Sequence, residues 1–267
     1  MDNIRVSHLK TRVSLVVCVI DAITAGAPLG NSTTVHLEGA RSQAIRKANG
    51  SYIFNDLVPG EYRLSVRNEN YLDEQRLVTV ETGNKMVFVQ MNPLPAYPFS
   101  PGAGLIRFML RDAAGAPLQE AKLTAVITSE ECTRARVMME QADKGTDEVL
   151  LGSFTGIVTV GDSYLLRGRG AKAADELIRI ADVQEYQKRF RLGQKLAKSF
   201  GRGSLLLPVQ ESRVTERGEA VLAFRGARVP AFQVDLAITY GQGQRHEMKD
   251  ITVTEGTVTN LGVIRLA

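Results

Sequence analysis

The sequence contains no tryptophan, two cysteines and three histidines among its 267 residues, and aromatic residues make up only 6% of the chain. The absence of tryptophan argues against a carbohydrate-binding platform of exposed indole rings, although tyrosine could take that place. Two cysteines provide no disulfide framework and fit a reducing compartment. We expect Cys18, inside an apolar run, to be a buried strand residue, and no bridge to Cys132, which falls in a different predicted domain.

Catalytic and metal-binding motifs are also missing. The three histidines, His8, His36 and His246, form no His-x-x-Glu or His-x-His pair, and no cysteine–histidine cluster has zinc spacing. The glycine-rich segments 167–170 and 201–203 lack the Gly-Lys-Ser/Thr ending of a phosphate-binding loop, and no Gly-x-Ser-x-Gly nucleophile elbow occurs. The sequence therefore predicts a protein that is not an enzyme and that binds no cofactor or metal.

Long apolar runs and a strong charge imbalance are absent as well. No run approaches the ~18 to 20 apolar residues of a membrane helix, so we expect no membrane insertion. The net charge of +4 is modest, and no recognised nucleic-acid motif accompanies it, which argues against nucleic acid as a partner. The apolar run at 13–20 has the composition of a secretory leader, but its layout recurs later in the chain. We therefore interpret it as a first strand and expect a cytoplasmic protein.

Residues 49–66 show the clearest pattern in the chain, which is strand, turn, strand. Gly50 supplies a turn before the first strand, because glycine tolerates positive φ without steric cost. Pro59 and Gly60 are expected to reverse the chain, with Gly60 in the left-handed position. Apolar residues then alternate with polar ones, as in strands with one buried face. The expected buried positions are Tyr52, Phe54, Tyr62, Leu64 and Val66.

This pattern resembles the carboxypeptidase regulatory-like family of transthyretin-like β-sandwiches. That family typically shows a Gly-x-Pro turn, an apolar strand, and then Asp/Asn-Gly-x-Tyr/Phe-x-Phe-x-x-Leu-x-Pro-Gly-x-Tyr. The corresponding segments here are Gly26-Ala27-Pro28, residues 35–39 and residues 49–66. The resemblance covers roughly residues 13–91. It implies a sandwich fold and no particular activity, because the family is a scaffold found in many proteins.

A second, more divergent copy follows the first. Residues 106–118 repeat the layout of residues 16–29, and residues 217–224 stand where residues 49–54 stood. From Pro28 to Gly50 is 22 positions, whereas the corresponding distance from Pro117 to Gly218 is 101 positions, so the second copy carries about 79 extra residues. Insertions of this kind usually sit at loop tips, and this one is long enough to be a subdomain.

We therefore predict an all-β fold with two transthyretin-like or Ig-like β-sandwiches, the second interrupted by a small β-barrel-like subdomain. The predicted division is a lead-in (1–12), a first sandwich (13–92), a proline-rich linker (93–104), a second sandwich (105–128 and 214–267) and an insertion (129–213). The residues expected at structural turns and in the cores are Pro28, Gly50, Tyr52, Phe54, Pro59, Gly60, Tyr62, Pro117, Gly218 and Phe224.

The part of the insertion at residues 171–200 fits two interpretations. Apolar residues near helical spacing indicate a long helix. Alternatively, residues 176–180 and 189–192 form a strand hairpin within a small barrel. Gly193 disfavours an uninterrupted helix by about 1 kcal/mol relative to alanine, and the succession of short apolar segments favours the barrel.

Two groups of residues are candidates for contact with a partner. Tyr97 and Phe99, in the proline-rich linker, either pack on a neighbouring domain or form a partner-facing aromatic pair. A basic run in the insertion, with Tyr186, Phe190 and Phe200 interleaved, is either a solvated face or an electrostatic footprint for an acidic protein or nucleic acid. The basic residues of this run are Lys188, Arg189, Arg191, Lys195, Lys198 and Arg202.

Together these features predict a non-catalytic structural or interaction protein. A regulatory-like sandwich with no expected leader and with an inserted barrel resembles, at the level of the fold, accessory proteins of phage-tail-like contractile injection systems. That resemblance implies a cap, tail or baseplate accessory in a particle that can be released from the cell. Its partners would be other protein subunits, further copies of this chain among them. The alternative is a ligand- or carbohydrate-binding module, for which Tyr71, Tyr97 and Phe99 are the candidate aromatics.

Overall fold

The computed structural model describes residues 11–83, 85–170, 174–184 and 188–266. Their regular structure is almost entirely β-strand, with a short 3-10 turn at Glu130–Cys132, and the predicted all-β fold class is confirmed. The predicted lead-in lies outside the described residues except for residues 11 and 12. Contacts divide the chain into unit 1, Met1–Tyr97, and unit 2, Pro98–Ala267. In the part of the chain that the structure describes, no helix is long and apolar enough to cross a membrane.

Unit 1 is a sandwich of two sheets. Its strands are β1 (Val13–Asp21), β2 (Thr34–Glu38), β3 (Ile45–Arg46), β4 (Ser51–Asn55), β5 (Gly60–Arg67), β6 (Glu74–Val80) and β7 (Lys85–Met91). One sheet has the order β3-β4-β1-β7 and the other β2-β5-β6. β1 pairs antiparallel with β4 and parallel with β7, whereas β5 is antiparallel to both β2 and β6. The apolar run at 13–20 is therefore a central strand.

The segment 49–66 has the predicted strands but a different reversal. Positive φ occurs at Asp56 (φ 54) rather than at Gly60, which begins β5 and pairs with Val80. The chain turns earlier because Asp56 exchanges two hydrogen bonds with Arg12, through Asp56 N to Arg12 O and Arg12 N to Asp56 Oδ1, both at 2.9 Å. β4 and β5 also belong to different sheets, so the turn is a crossover between sheets.

Unit 2 contains a second sandwich and a barrel. Its strands are β8 (Gly104–Arg111), β9 (Lys122–Ile127), β10 (Ala135–Val137), β11 (Gln141–Ala142), β12 (Glu148–Gly152), β13 (Ser163–Arg167), β14 (Asp175–Gln184), β15 (Arg189–Leu192), β16 (Phe200–Gly201), β17 (Leu205–Arg213), β18 (Glu219–Phe224), β19 (Ala231–Tyr240), β20 (Gln244–Thr254) and β21 (Val258–Arg265). β8 pairs antiparallel with β18 and parallel with β21, and β19 lies antiparallel between β9 and β20. This is the topology of unit 1, so the two sandwiches are copies of one fold.

The inserted segment forms a closed six-stranded barrel. Its strands follow the order β10-β12-β15-β14-β13-β17, and a β10–β17 pairing completes the circle. β14 and β15 are antiparallel partners, so the hairpin interpretation is confirmed, and a long helix is wrong for the residues of these two strands. The alternation of apolar and polar residues along these strands explains this result, because every second side chain of a barrel strand points into the interior. The buried interior includes Val137, Val149, Leu151, Tyr164, Leu166, Ile178, Ile180, Phe190, Leu192, Phe200 and Leu206.

One strand belongs to both the barrel and the sandwich. β17 pairs with β13 through residues 205–208 and with β9 through residues 209–213. The insertion is therefore connected by continuous backbone hydrogen bonding rather than by a flexible tether, and the barrel extends the sandwich sheet.

Candidate interaction surface

The outer face of the sheet β3-β4-β1-β7 in unit 1 is apolar. Leu15, Val17 and Val19 of β1 are buried in the core, so the residues that alternate with them point away from the sandwich. The registers of the neighbouring strands extend this outward set across the sheet. The same registers place Ser51 beside Cys18 and Gln90 beside Ile20. We call the apolar members of the outward set the apolar outer face, and they are Val16, Cys18, Ile20, Ile45, Ile53, Met86 and Phe88.

Four of these side chains form one row across all four strands. Ile45 pairs with Ile53, Ile53 pairs with Val16, and Val16 pairs with Met86. The two ends of the row are open to solvent, with 46% of Ile45 and 58% of Met86 exposed. Single exposed apolar residues are ordinary, whereas contiguous apolar patches mark interaction sites. The row therefore identifies a candidate interaction surface.

Cys18 and Phe88 stand side by side in the next row, where Phe88 is 42% exposed. Cys18 is half-buried rather than buried as predicted, because it alternates outward with Val16. Burial raises the pKa of the Cys18 thiol above its ordinary value. Cys132 is also free but is fully buried, and burial raises the pKa of its thiol as well. Cys18 is therefore the thiol that a reagent can reach in the folded protein.

The size of the apolar outer face suits the centre of an interface. Three gaps of about 4.8 Å separate β3 from β7, and four residues along β1 span about 13 Å, so the backbone positions cover about 14 by 13 Å. With its side chains, the face falls within the roughly 300–600 Å² of the largest patch on a typical monomer. A standard interface covers about 800 Å² per partner, so neighbouring polar residues would form the rim.

The edge of the same sheet is less available than its face. β7 is the last strand of the sheet in the described chain, and unpaired edges can pair with other strands. A side chain already occupies one backbone group of this strand, because Arg76 Nη1 donates to Phe88 O at 2.9 Å. A partner is therefore better accommodated on the face than along the β7 edge.

Tyr97, a predicted partner contact, is instead part of the interior of unit 1. Its ring is 5% exposed, and its hydroxyl donates to Oδ2 of the fully buried Asp21 at 2.7 Å. Asp21 also accepts from Ile23 N at 2.7 Å and from Thr24 Oγ1 at 3.0 Å. Burial and then the bond to Asp21 raise the pKa of Tyr97 far above its ordinary value. The edge of Tyr71 packs on the Tyr97 ring with centroids 5.5 Å apart, so neither tyrosine presents its ring to a ligand.

The start of the proline-rich segment is hydrogen-bonded to residues 70–72 of unit 1. Leu72 N donates to Asn92 O at 2.8 Å, and Leu94 N donates to Asn70 O at 2.9 Å. Phe99 belongs to unit 2, is half-buried, and has the guanidinium carbon of Arg107 5.9 Å from its ring centroid. This geometry fits a cation–π contact.

Two arginines of the basic run face carboxylates, and one lysine donates to a backbone carbonyl. Arg189 Nη1 lies 3.2 Å from Glu148 Oε2, and Arg191 Nε lies 3.8 Å from Asp147 Oδ2. Lys198 Nζ donates to the backbone oxygen of Asp175 at 2.8 Å. Exposed pairs of this kind contribute little stability but reduce the local charge. Lys188, Lys195 and Arg202 are exposed.

Two of the aromatic residues interleaved with that run, Phe190 and Phe200, are not on its surface. Phe190 and Phe200 are buried in the barrel interior, and Tyr186 lies outside the described residues. An aromatic stacking platform for nucleic-acid bases requires exposed rings, which Phe190 and Phe200 do not supply.

The predicted turn and core residues occupy structural positions. Tyr52, Phe54 and Phe224 are buried, and Gly50 and Gly218 have φ values of 80° and 73°. The Tyr62 hydroxyl donates to the carbonyl of Val58 at 2.7 Å. Pro28 is half-buried, Pro59 and Pro117 are exposed, and Gly60 begins β5.

A polar cluster joins the barrel to the sandwich of unit 2. Arg134 donates through Nη1 to Gly226 O at 2.7 Å and through Nη2 to Arg225 O at 2.9 Å, and burial lowers the pKa of Arg134. Burial and the nearby Asp162 raise the pKa of Tyr164 well above its ordinary value. The hydrogen bonds of Arg134 connect its side chain to backbone carbonyls of the sandwich, and this is a structural role. No group of three or more potential metal-ligating side chains occurs within the described ranges.

Sequence reasoning missed the apolar outer face, although the signal was present. The segment Val13–Ile20 is apolar at most of its positions, and residues 86–89 are apolar throughout. A strand with one solvent-exposed face should show alternating apolar and polar residues. Lack of alternation in β1 and β7 indicates that both faces of this sheet are apolar.

No family model matches the chain, and no curated protein matches it. The resemblance to the carboxypeptidase regulatory-like family therefore stays a prediction. Among solved structures, a DUF3823 family protein from Bacteroides ovatus is 11% identical over 91% of this chain and 98% of that protein, with a TM-score of 0.25. The minor pilin GBS52 of Streptococcus agalactiae is 10% identical over 94% of each chain, with a TM-score of 0.24.

The Bacillus anthracis TIE protein is 9% identical over 95% of this chain, with a TM-score of 0.26. The present chain spans 50% of the length of that structure. Similarity at these levels does not identify a function.

Proposed function

We propose that this protein is a non-catalytic structural or interaction protein that binds another protein subunit through the apolar outer face of unit 1. The observation that carries the proposal is the row from Ile45 through Ile53 and Val16 to Met86, which ends in two largely exposed side chains. Binding of a partner that removes such apolar surface from water is favoured by the hydrophobic effect.

The size of that gain indicates what kind of binding to expect. Covering about 400 Å² at about 25 cal/mol per Å² contributes about 10 kcal/mol. Association itself costs roughly 4–15 kcal/mol. One such face therefore supports weak pairwise binding, which becomes stable when several contacts act together in an assembly. This favours a subunit of a larger particle over a partner in a tight binary complex.

The particle we propose is a phage-tail-like contractile injection system, with this chain as a cap, tail or baseplate accessory made in the cytoplasm. The support for this assignment is the sequence resemblance of a sandwich with an inserted barrel. The shared strand β17 also suits a structural subunit, because it joins the sandwich and the barrel into one continuous sheet. The partners would be other subunits of the particle, further copies of this chain among them.

The test uses velocity sedimentation of lysate from the native source, with chromosomal variants of the full chain. We expect the wild type to travel with a large particle and Phe88→Glu to stay at the top of the gradient, because a charge on the apolar outer face would be buried at the contact. Leu77→Glu is the matched control, since Leu77 is 69% exposed on β6 in the other sheet. It should sediment like the wild type.

Thiol labelling provides a second measurement on the same fractions. Cys18 should react with a maleimide in the purified protein and be protected in the particle, whereas Cys132 should be unreactive in both. Wild-type protein that sediments only as a monomer, or Phe88→Glu that still enters the particle with Cys18 protected, would contradict the proposal.

The ligand-binding alternative has little structural support. Tyr71 and Tyr97 are buried, and Phe99 lies against Arg107. A shallow depression of about 500 Å³ lies beside the first turn of the 49–66 segment, and its lining has no aromatic side chain, consisting of Ala27, Arg46, Lys47, Ala48, Asn49 and Gly50.

A further inference from the structure

Two arginines flank a buried leucine on the outer wall of the barrel. The ladder of β10, β17 and β13 places Arg136, Leu205 and Arg167 in one row. Their neighbours Val137 and Leu206 are buried in the barrel interior, so the row points outward. Two long cationic side chains therefore stand on the same side of adjacent strands, on either side of Leu205.

A third arginine reaches the same place from the segment after β13. Arg136 Nη1 approaches the carbonyl of Gly203 at 3.4 Å. The Nη1 and Cδ atoms of Arg169 each lie 3.4 Å from the point where a Cβ on Gly203 would stand. The guanidinium groups of Arg136 and Arg169 therefore converge on Gly203, which has no side chain to separate them.

The charge of this cluster is only partly balanced. Arg167 pairs with Asp175, with Nη2 and Oδ2 3.1 Å apart. Within the described ranges neither Arg136 nor Arg169 forms an ion pair. Arg136 uses one donor on Gly203, and each guanidinium has five. Like charges that converge repel one another unless an anion lies between them, so the cluster has both the donors and the charge to bind one.

We propose that Arg136 and Arg169, with Arg167 beside them, bind carboxylates of an acidic segment of a protein partner. The planar guanidinium fork matches a carboxylate, to which it donates two parallel hydrogen bonds. A nucleic acid fits less well, because Phe190 and Phe200 lie inside the barrel and give bases no ring to stack on. This inference rests on the proposed function, since it names the chemistry of a partner, but it uses unit 2 and none of the apolar outer face.

The test is fluorescence anisotropy with the full chain and a labelled hexaglutamate peptide at low ionic strength, where screening is weak. We expect saturable binding that weakens as salt is added. The double variant R136Q/R169Q should bind at least about tenfold more weakly, which corresponds to about 1.4 kcal/mol. The matched control R189Q/R191Q removes two arginines that already have carboxylate partners, and its affinity should change less than about twofold.

Thermal unfolding of both variants establishes that they fold, and Arg169→Gln alone serves if the double variant does not, since Arg169 is exposed. Equal losses in the two double variants, or no saturable binding by the wild type, would overturn the proposal. Tighter binding of labelled oligothymidine than of the peptide would also overturn it and assign the cluster to nucleic acid. Failure of peptide binding while the wild type still enters the particle refutes this site alone. Wild-type protein that binds the peptide but sediments only as a monomer refutes the proposed role of unit 1.

Discussion

Replacing Tyr97 by phenylalanine tests whether the proline-containing segment is an integral part of unit 1. The variant keeps the ring and its packing on Tyr71 and removes only the hydroxyl that donates to Asp21 at 2.7 Å. The carboxyl group of Asp21 has no exposed surface, so water cannot replace the lost donor. The Asp21 carboxyl group then keeps the Thr24 hydroxyl, at 3.0 Å from Oδ2, and its interaction with the Tyr71 hydroxyl.

The expected loss of stability follows from the burial of Asp21. A hydrogen bond to a charged group contributes about 1.5–3 kcal/mol, and the upper part of this range applies where the acceptor cannot be solvated. We therefore expect Tyr97→Phe to reduce the free energy of unfolding of unit 1 by about 2–3 kcal/mol. Tyr62→Phe is the matched control. Its hydroxyl donates to an exposed carbonyl, that of Val58, which water can satisfy, so a loss of about 0.5 kcal/mol is expected.

Native-state hydrogen exchange is the appropriate assay because it resolves unit 1 from unit 2 in the intact chain. The amides of Leu72 and Leu94, which bond to the carbonyls of Asn92 and Asn70, should lose protection in Tyr97→Phe and keep it in Tyr62→Phe. Equal effects of the two variants would show that the Asp21 bond contributes no more than a surface bond, and the account of the docked segment would fail.

Two further predictions concern unit 2. Gly218→Ala should destabilise it by about 2–4 kcal/mol in thermal unfolding, because a Cβ would clash with Leu110 O at a φ of 73°. Gly115→Ala, at a φ of 86° with open space around it, should cost only about 1 kcal/mol in the same measurement, and equal costs would show that the clash is relieved. Glu148→Gln should change the free energy of unfolding by less than about 0.5 kcal/mol, because its pair with Arg189 is exposed, and a larger loss would mean that this pair contributes to the stability of the barrel.

Local patterns were sufficient to predict most strands but not every turn. Alternation in 49–66 and in the two segments of the barrel hairpin identified strands, because a two-residue period reports which side of a sheet is buried. The left-handed residue was misplaced, since aspartate also tolerates positive φ and Asp56 is held there by Arg12, 44 positions away. Closure of the barrel by β10 and β17 is similarly non-local.

The candidate surfaces were harder to predict for the same reason. The arginine cluster assembles residues 136, 167 and 169 around Gly203, and only the β10–β17–β13 register brings them together. The basic run at 188–202 was conspicuous in the sequence, yet Arg189 and Arg191 face the carboxylates of Glu148 and Asp147. Density of charge along the chain does not reveal which cations are paired, because ion pairing depends on neighbours across the sheet, and the role of the basic run stays a prediction.

The two copies of the sandwich provide a comparison within one chain. In unit 2 the outward positions of β8 and β18 include Leu105, Val221 and Ala223, which are 6%, 3% and 4% exposed. The corresponding sheet of unit 1 presents Met86 and Phe88 at 58% and 42%. The counterpart of β7 in unit 2 is β21, where Val258 and Val263, the partners of Leu105 and Met109, are 52% and 56% exposed. Both copies therefore leave apolar outward side chains open to solvent on this strand.

The two sheets differ in how far the apolar side chains are contiguous, because Val16 stands beside Met86 in unit 1, whereas Arg107 stands beside Asn260 in unit 2. Burying a charged or amide group costs free energy that burying an apolar one does not, so a partner that covers apolar surface is expected to favour unit 1.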